Sequence, residues 1–123
     1  MKVMGRHVVA EIFDCDEAVL NNLNQFEAIM MEVVDNTGFS INDSAFHQDS
    51  SEGISGVIII PKSHMMIHTW PQEHFATVDM YTCNEALDPW QACQSLVQKF
   101  GASHMTTRTD QREIEIGDLQ EAV

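Results

Sequence analysis

The residues with the greatest chemical capacity lie in and just beyond the stretch PKSHMMIHTWPQ (61–72), which follows the apolar run GVIII. A hydroxyl, Ser63, comes directly after Lys62, with imidazoles at His64 and His68 and a thiol at Cys83. A serine placed where a strand must turn combines backbone strain with an exposed nucleophile. An imidazole beside it can move protons, and a thiol can act as acid or nucleophile. Taken singly these residues also have plain readings, Ser63 as a turn residue and Cys83 as a small core hydrophobe. His64 and His68 share a strand face at period two, and His74 lies beyond the following turn. The six histidines nevertheless form neither HExxH nor a compact His/Cys/carboxylate set, so no metal site is expected.

These groups need a scaffold, and the residue periodicities predict one. VMGRHVVAEIF (3–13) reads as a strand with mixed alternation. In DCDEAVLNN either Asp14 or Asp16 suits a helix N-cap, with acidic residues in the first turn. Leu20, Leu23, Phe26, Met30, Val33 and Val34 follow at helical spacing and Gly38 suits a terminator, predicting one long helix over 17–36. FSINDSAFH (39–47) reads as a strand, QDSSEG (48–53) as a polar loop, and ISGVIII (54–60) as an apolar strand ended by Pro61. HMMIHTW (64–70) and FATVDMYTC (75–83) predict two more strands joined by a turn around Pro71. LDPWQACQSLVQKF (87–100) predicts a second helix capped by Asp88, started by Pro89 and closed by Gly101. Its expected apolar stripe is Trp90, Cys93, Leu96, Val97 and Phe100. SHMTTRT (103–109) is the last expected strand, followed by a polar, acidic tail over 110–123. Runs of strands with few helices imply a two-layer α/β sandwich, its sheet largely antiparallel and its helices on one face. The other face is left for a site or a partner subunit.

Bulk properties narrow the function. A chain of 123 residues is expected to form a single domain, and its 44% hydrophobic content suits a packed core. A formal charge of −13 argues against nucleic acid and anionic membrane surfaces as partners, and is compatible with a small cationic ligand. The first residues lack a signal-peptide pattern, no apolar run approaches bilayer length, and three cysteines without CxxC spacing indicate neither disulfides nor a zinc knuckle. The expected location is the cytoplasm.

GRHVVAE, ISGV, SHMMIHTWP, DMYTC and DPW occur in this order along most of the chain. In these motifs the sequence resembles the short prokaryotic form of the S-adenosylmethionine decarboxylase proenzyme family. The resemblance implies a two-layer α/β sandwich assembled as a homodimer of processed protomers. It also implies that Ser63 Oγ attacks the Lys62 carbonyl, exchanging the peptide bond for an ester whose elimination and hydrolysis leave a pyruvoyl group and ammonia. The products would be a β chain, 1–62, and an α chain, 63–123. The covalently bound pyruvoyl group would form a Schiff base with a substrate amine and act as electron sink for loss of CO₂, with no metal or dissociable cofactor. By the same resemblance Ser55 and His68 assist self-cleavage, Cys83 reprotonates the substrate α-carbon, and Glu11 falls at an acidic position of the motif.

Three positions depart from the family's usual pattern. Lys62 stands where glutamate usually precedes the cleaved serine, although the acyl shift uses only the main-chain carbonyl there. Asp49 stands where the family commonly carries an aromatic that stacks on adenine, and Gln72 where a glutamate binds the ribose hydroxyls. An aromatic platform contributes about 1–3 kcal/mol of stacking that a carboxylate cannot supply. The preferred expectation is therefore a site converted to a cationic amino acid, with Asp49, aided by Glu52 or Glu73, binding the guanidinium of L-arginine or the ammonium of L-ornithine, the products being agmatine or putrescine. The alternatives are S-adenosylmethionine decarboxylase proper, with Phe46 or Phe75 supplying the stacking, and an uncleaved regulatory or binding subunit.

Overall fold

The computed structural model describes residues 2–49 and 53–115. Six strands form one sheet: β1 (Lys2–Phe13), β2 (Asp43–Asp49), β3 (Gly53–Ile60), β4 (Ser63–Trp70), β5 (Phe75–Thr82) and β6 (His104–Glu115). Their order is β2-β3-β4-β5-β1-β6, and every neighbouring pair is antiparallel. The helices are α1 (Glu17–Leu20), α2 (Leu23–Asp35) and α3 (Pro89–Lys99), with a 3-10 turn at Pro71–Glu73.

Alternation along the strands decides the layering. Val8, Ala10 and Ile12 of β1, Ile58 and Ile60 of β3, Met65 and Ile67 of β4, and Ala76, Val78 and Met80 of β5 all enter one buried cluster. Phe26, Met30, Val33 and Val34 of α2 and Cys93 and Leu96 of α3 complete that cluster, joined by Phe100 just past α3. The Phe26 and Phe100 rings stack with centroids 5.6 Å apart. Each large side chain so buried contributes about 1.5–3 kcal/mol. The helices therefore cover one sheet face, as expected, and the opposite face stays open.

Several expectations need correction. The helix predicted over 17–36 is broken, because the Asn22 side chain accepts from the Gln25 N–H and starts α2 afresh. Asparagine competes with the helical backbone in this way, a local preference that hydrophobic spacing does not report. Trp90 is 40% exposed instead of lining the core. The buried stripe of α3 runs through Pro89, Ala92, Cys93 and Leu96, and Trp90 lies off it by about one 100° step. Asp49 belongs to β2 and not to a polar loop, while 39–42 precede that strand. β6 continues through Glu115, paired with β1 along its length, so 110–115 are strand and not tail. A polar edge strand is held by backbone pairing and shows no apolar pattern. Glu52 and residues 116–123 lie outside the described residues. No helix among the described residues is long and apolar enough to cross a membrane.

Candidate active site

Ser63 opens β4 and pairs with Thr82 at the end of β5. Its side chain is 8% exposed and faces the helix layer, contrary to the exposed nucleophile expected of a turn serine. The reason is register: Ser63 lies two residues before Met65 and shares its face. Ser63 Oγ donates to the Pro61 carbonyl at 3.0 Å and lies 2.7 Å from Thr82 Oγ1, itself fully buried. Thr82 Oγ1 also accepts from the Asn84 N–H at 2.9 Å. Arg6, the next residue in this cross-strand row, donates to the Asn84 and Leu87 carbonyls and pins the following loop.

Lys62 is exposed and left-handed, with φ of 58°. For a residue with a Cβ this conformation costs about 1–2 kcal/mol. The Cys83 N–H donates to the Lys62 carbonyl at 2.9 Å. The peptide between Lys62 and Ser63 thus combines a strained residue, a polarised carbonyl and a neighbouring buried hydroxyl.

On the open face at this same end, the Tyr81 hydroxyl and Cys83 Sγ are 3.0 Å apart. His64 stacks on Tyr81 with centroids 5.6 Å apart, and His7 bonds Asp79 at 2.5 Å. The Cys83 bond pushes the Tyr81 hydroxyl above its usual range, helped by desolvation and the charge a thiolate would carry, and opposed by Arg112.

Ser55 and His68 form a second cluster on the open face, with Ser55 Oγ 3.2 Å from His68 Nδ1. His68 is five positions along β4 from Ser63, about 16 Å at strand rise, and its side chain projects from the opposite sheet face. Within one chain His68 therefore does not reach Ser63, although the two lie on one strand. Glu11 lies in the same cross-strand row as His68, beyond Thr77. Asp49 sits at the far end of β2, bonded by His47 at 2.9 Å, and Gln72 and Glu73 are exposed on the 3-10 turn. An aromatic row runs beside them: Trp70 lies 5.4 Å from Phe75, Phe75 5.2 Å from Phe13, and Phe13 stacks 4.8 Å from His104. Phe46 instead faces the helix layer and packs edge-on against Phe26, so it offers no ring to a ligand on the open face. Between the clusters lies a depression of about 300 Å³ lined in part by Val9, Ser55, Met66, His68, Thr77 and Asp79. No three His, Cys, Asp or Glu side chains among the described residues are grouped to hold a metal ion.

The family model for S-adenosylmethionine decarboxylase matches residues 6–113. The chain belongs to the S-adenosylmethionine decarboxylase family. It is 45% identical over 123 residues to the S-adenosylmethionine decarboxylase proenzyme of Acetivibrio thermocellus, covering 100% of this chain and 96% of that one. Against the proenzyme of Caldicellulosiruptor saccharolyticus it is 48% identical over 107 residues, 87% of this chain and 86% of the other. The fold is similar to the crystal structure of the adenosylmethionine decarboxylase from Aquifex aeolicus, with a TM-score of 0.78 at 24% identity over 89% of this chain and 91% of that one. Membership of this family makes the chain a decarboxylase.

A pyruvoyl group made from Ser63 fits these surroundings: the side chain it derives from has polar neighbours, and the carbonyl before it already accepts a backbone N–H. Sequence reasoning missed Thr82 and Tyr81, both inside DMYTC. Their signal was register, since the residue paired with Ser63 and the one sharing a face with Cys83 appear only once the strands are aligned.

Proposed function

We propose that this protein is a self-processing, pyruvoyl-dependent decarboxylase that splits between Lys62 and Ser63 and acts on S-adenosylmethionine. The observation carrying the cleavage is the buried Ser63 hydroxyl beside a carbonyl held by the Cys83 N–H. Attack by Ser63 Oγ places negative charge on the Lys62 oxygen, and that N–H is already aimed at it. Thr82 Oγ1 fixes the hydroxyl's rotamer. Thr82→Val, of similar shape but without the hydroxyl, should slow splitting of freshly translated chain about tenfold, read as fragment mass against time. An unchanged rate would remove Thr82 from the processing machinery.

When present, the pyruvoyl group supplies the electron sink for loss of CO₂. Cys83 then holds the proton destined for the substrate α-carbon, on the open face at the Ser63 end. Ser55, His68 and the aromatic row lie at the other end, so one chain does not assemble the full set. Two copies packed open face to open face about a two-fold axis bring the far end of each over the Ser63 end of the other. Met66, 49% exposed, and Ile59, 41% exposed, provide apolar surface for that contact.

S-adenosylmethionine is the substrate named for the curated relatives, and Trp70 with Phe75 offers the π surface that Asp49 lacks. Trp70→Ala should raise the KM for S-adenosylmethionine about tenfold with a smaller change in kcat. A second reading, decarboxylation of L-arginine or L-ornithine, is favoured by one feature: the exposed Asp49 carboxylate, bonded by the exposed His47. Comparing S-adenosylmethionine, arginine and ornithine at equal concentration decides between them. Preference for S-adenosylmethionine supports the first reading. Preference for a basic amino acid that is lost in Asp49→Ala, with self-cleavage intact, overturns it.

A further inference from the structure

Tyr81 has no role in the chemistry above, yet it is the side chain closest tied to Cys83. We infer that the Tyr81 hydroxyl is a positioning group that holds Cys83 Sγ in place and steadies the thiolate formed when the thiol gives up its proton. This rests on the reading of Cys83 as the proton donor.

The ring has little freedom. His64 stacks on one side, and Gly5 lies so close that a Cβ there would stand 2.6 Å from the Tyr81 oxygen and 3.1 Å from two ring carbons. Gly5 occupies the β1 position alongside Cys83, one place beyond the Arg6–Thr82 pair, and its missing side chain leaves the space the tyrosine fills. The hydroxyl thereby lies 3.0 Å from Sγ while the Cys83 backbone is bonded to the Lys62 carbonyl. Tyr81 is shifted toward holding its proton, chiefly by the bond to Cys83, so the phenol is the donor when Cys83 is a thiolate. As the S–H bond breaks and a C–H bond forms at the substrate, the O–H···S bond stays in place on the sulfur left behind.

Thiol alkylation by iodoacetamide tests this apart from turnover. Cys15 and Cys93 are buried, and burial pushes their thiols up to about 11 and about 12, so Cys83 is the reactive cysteine. Mass-resolved alkylation of the whole protein at neutral pH should be about tenfold slower in Tyr81→Phe, which keeps the ring and loses only the hydroxyl. Gly5→Ala, which displaces the ring while leaving the hydroxyl in the chain, should slow it similarly, and combining the two should add little. Restoring tyrosine and glycine restores the rate. Equal alkylation in wild type and Tyr81→Phe overturns the inference. Should the phenylalanine chain fail to fold, an unchanged rate in Gly5→Ala overturns it instead. If Cys83→Ala retains turnover, the proton-donor reading fails, whatever the alkylation rates show.

Discussion

Ser63→Ala is expected to leave the chain whole and to reduce decarboxylation below detection. The wild-type protein should resolve under denaturing conditions into fragments 1–62 and 63–123, the second lighter than a serine-initiated chain by one ammonia. The effect is all-or-none because the same oxygen would serve as nucleophile in cleavage and begin the conversion to the prosthetic group. The structural cost is small. Thr82 Oγ1 keeps its bond from the Asn84 N–H, and the Pro61 carbonyl loses one donor at a position near solvent. Loss of about 1 kcal/mol is the order expected for one such hydrogen bond, well inside an ordinary stability margin. Thermal unfolding should therefore resemble that of the uncleaved wild-type chain, separating lost chemistry from lost fold. A wild-type chain that stays whole on incubation would instead return the protein to a binding or regulatory role.

The layer architecture was legible because alternation and helical spacing report burial directly. The apolar strand 54–60, the cap and first turn at Asp88 and Pro89, and the open face were all legible from composition, spacing and turn residues. The break at Asn22 was not legible, since a side chain taking over one backbone donor leaves the apolar spacing of α2 intact. Nor was the full length of β6, whose polar residues contribute pairing and little burial. At the site, residue types carried more information than their grouping. Ser63 and His68 invite assignment to one cluster because they are near in sequence, but an odd separation along a strand sends side chains to opposite faces. Thr82, nineteen positions from Ser63, is the group in actual contact with it. Asp49 was read against an absent aromatic, whereas Trp70 and Phe75 of β4 and β5 place rings at the same end of the sheet.

Co-expression of a Ser63→Ala chain with a His68→Ala chain is expected to recover activity that neither variant has alone. If each site takes Ser63 from one copy and His68 from the other, a mixed dimer holds one site with both residues and one with neither. Random pairing makes about half of the dimers mixed, so recovery should approach about a quarter of wild-type turnover. Splitting should be recovered in step, with cleaved fragments found only from the copy carrying His68→Ala. The basis is distance along the strand: His68 lies about 16 Å along β4 from Ser63, beyond the reach of an imidazole, whereas a second copy's far end would lie over the exposed Lys62 and the Cys83 thiol at the Ser63 end. Sites completed within one chain would give no recovery, because every chain would then lack one of its own required groups. Recovery should also depend on the open faces meeting. A charge at Met66, as in Met66→Glu, sets two carboxylates into the apolar centre of the contact and should abolish both dimerisation and recovery together. Loss of the dimer with retained turnover would separate assembly from catalysis and place the complete site within a single chain.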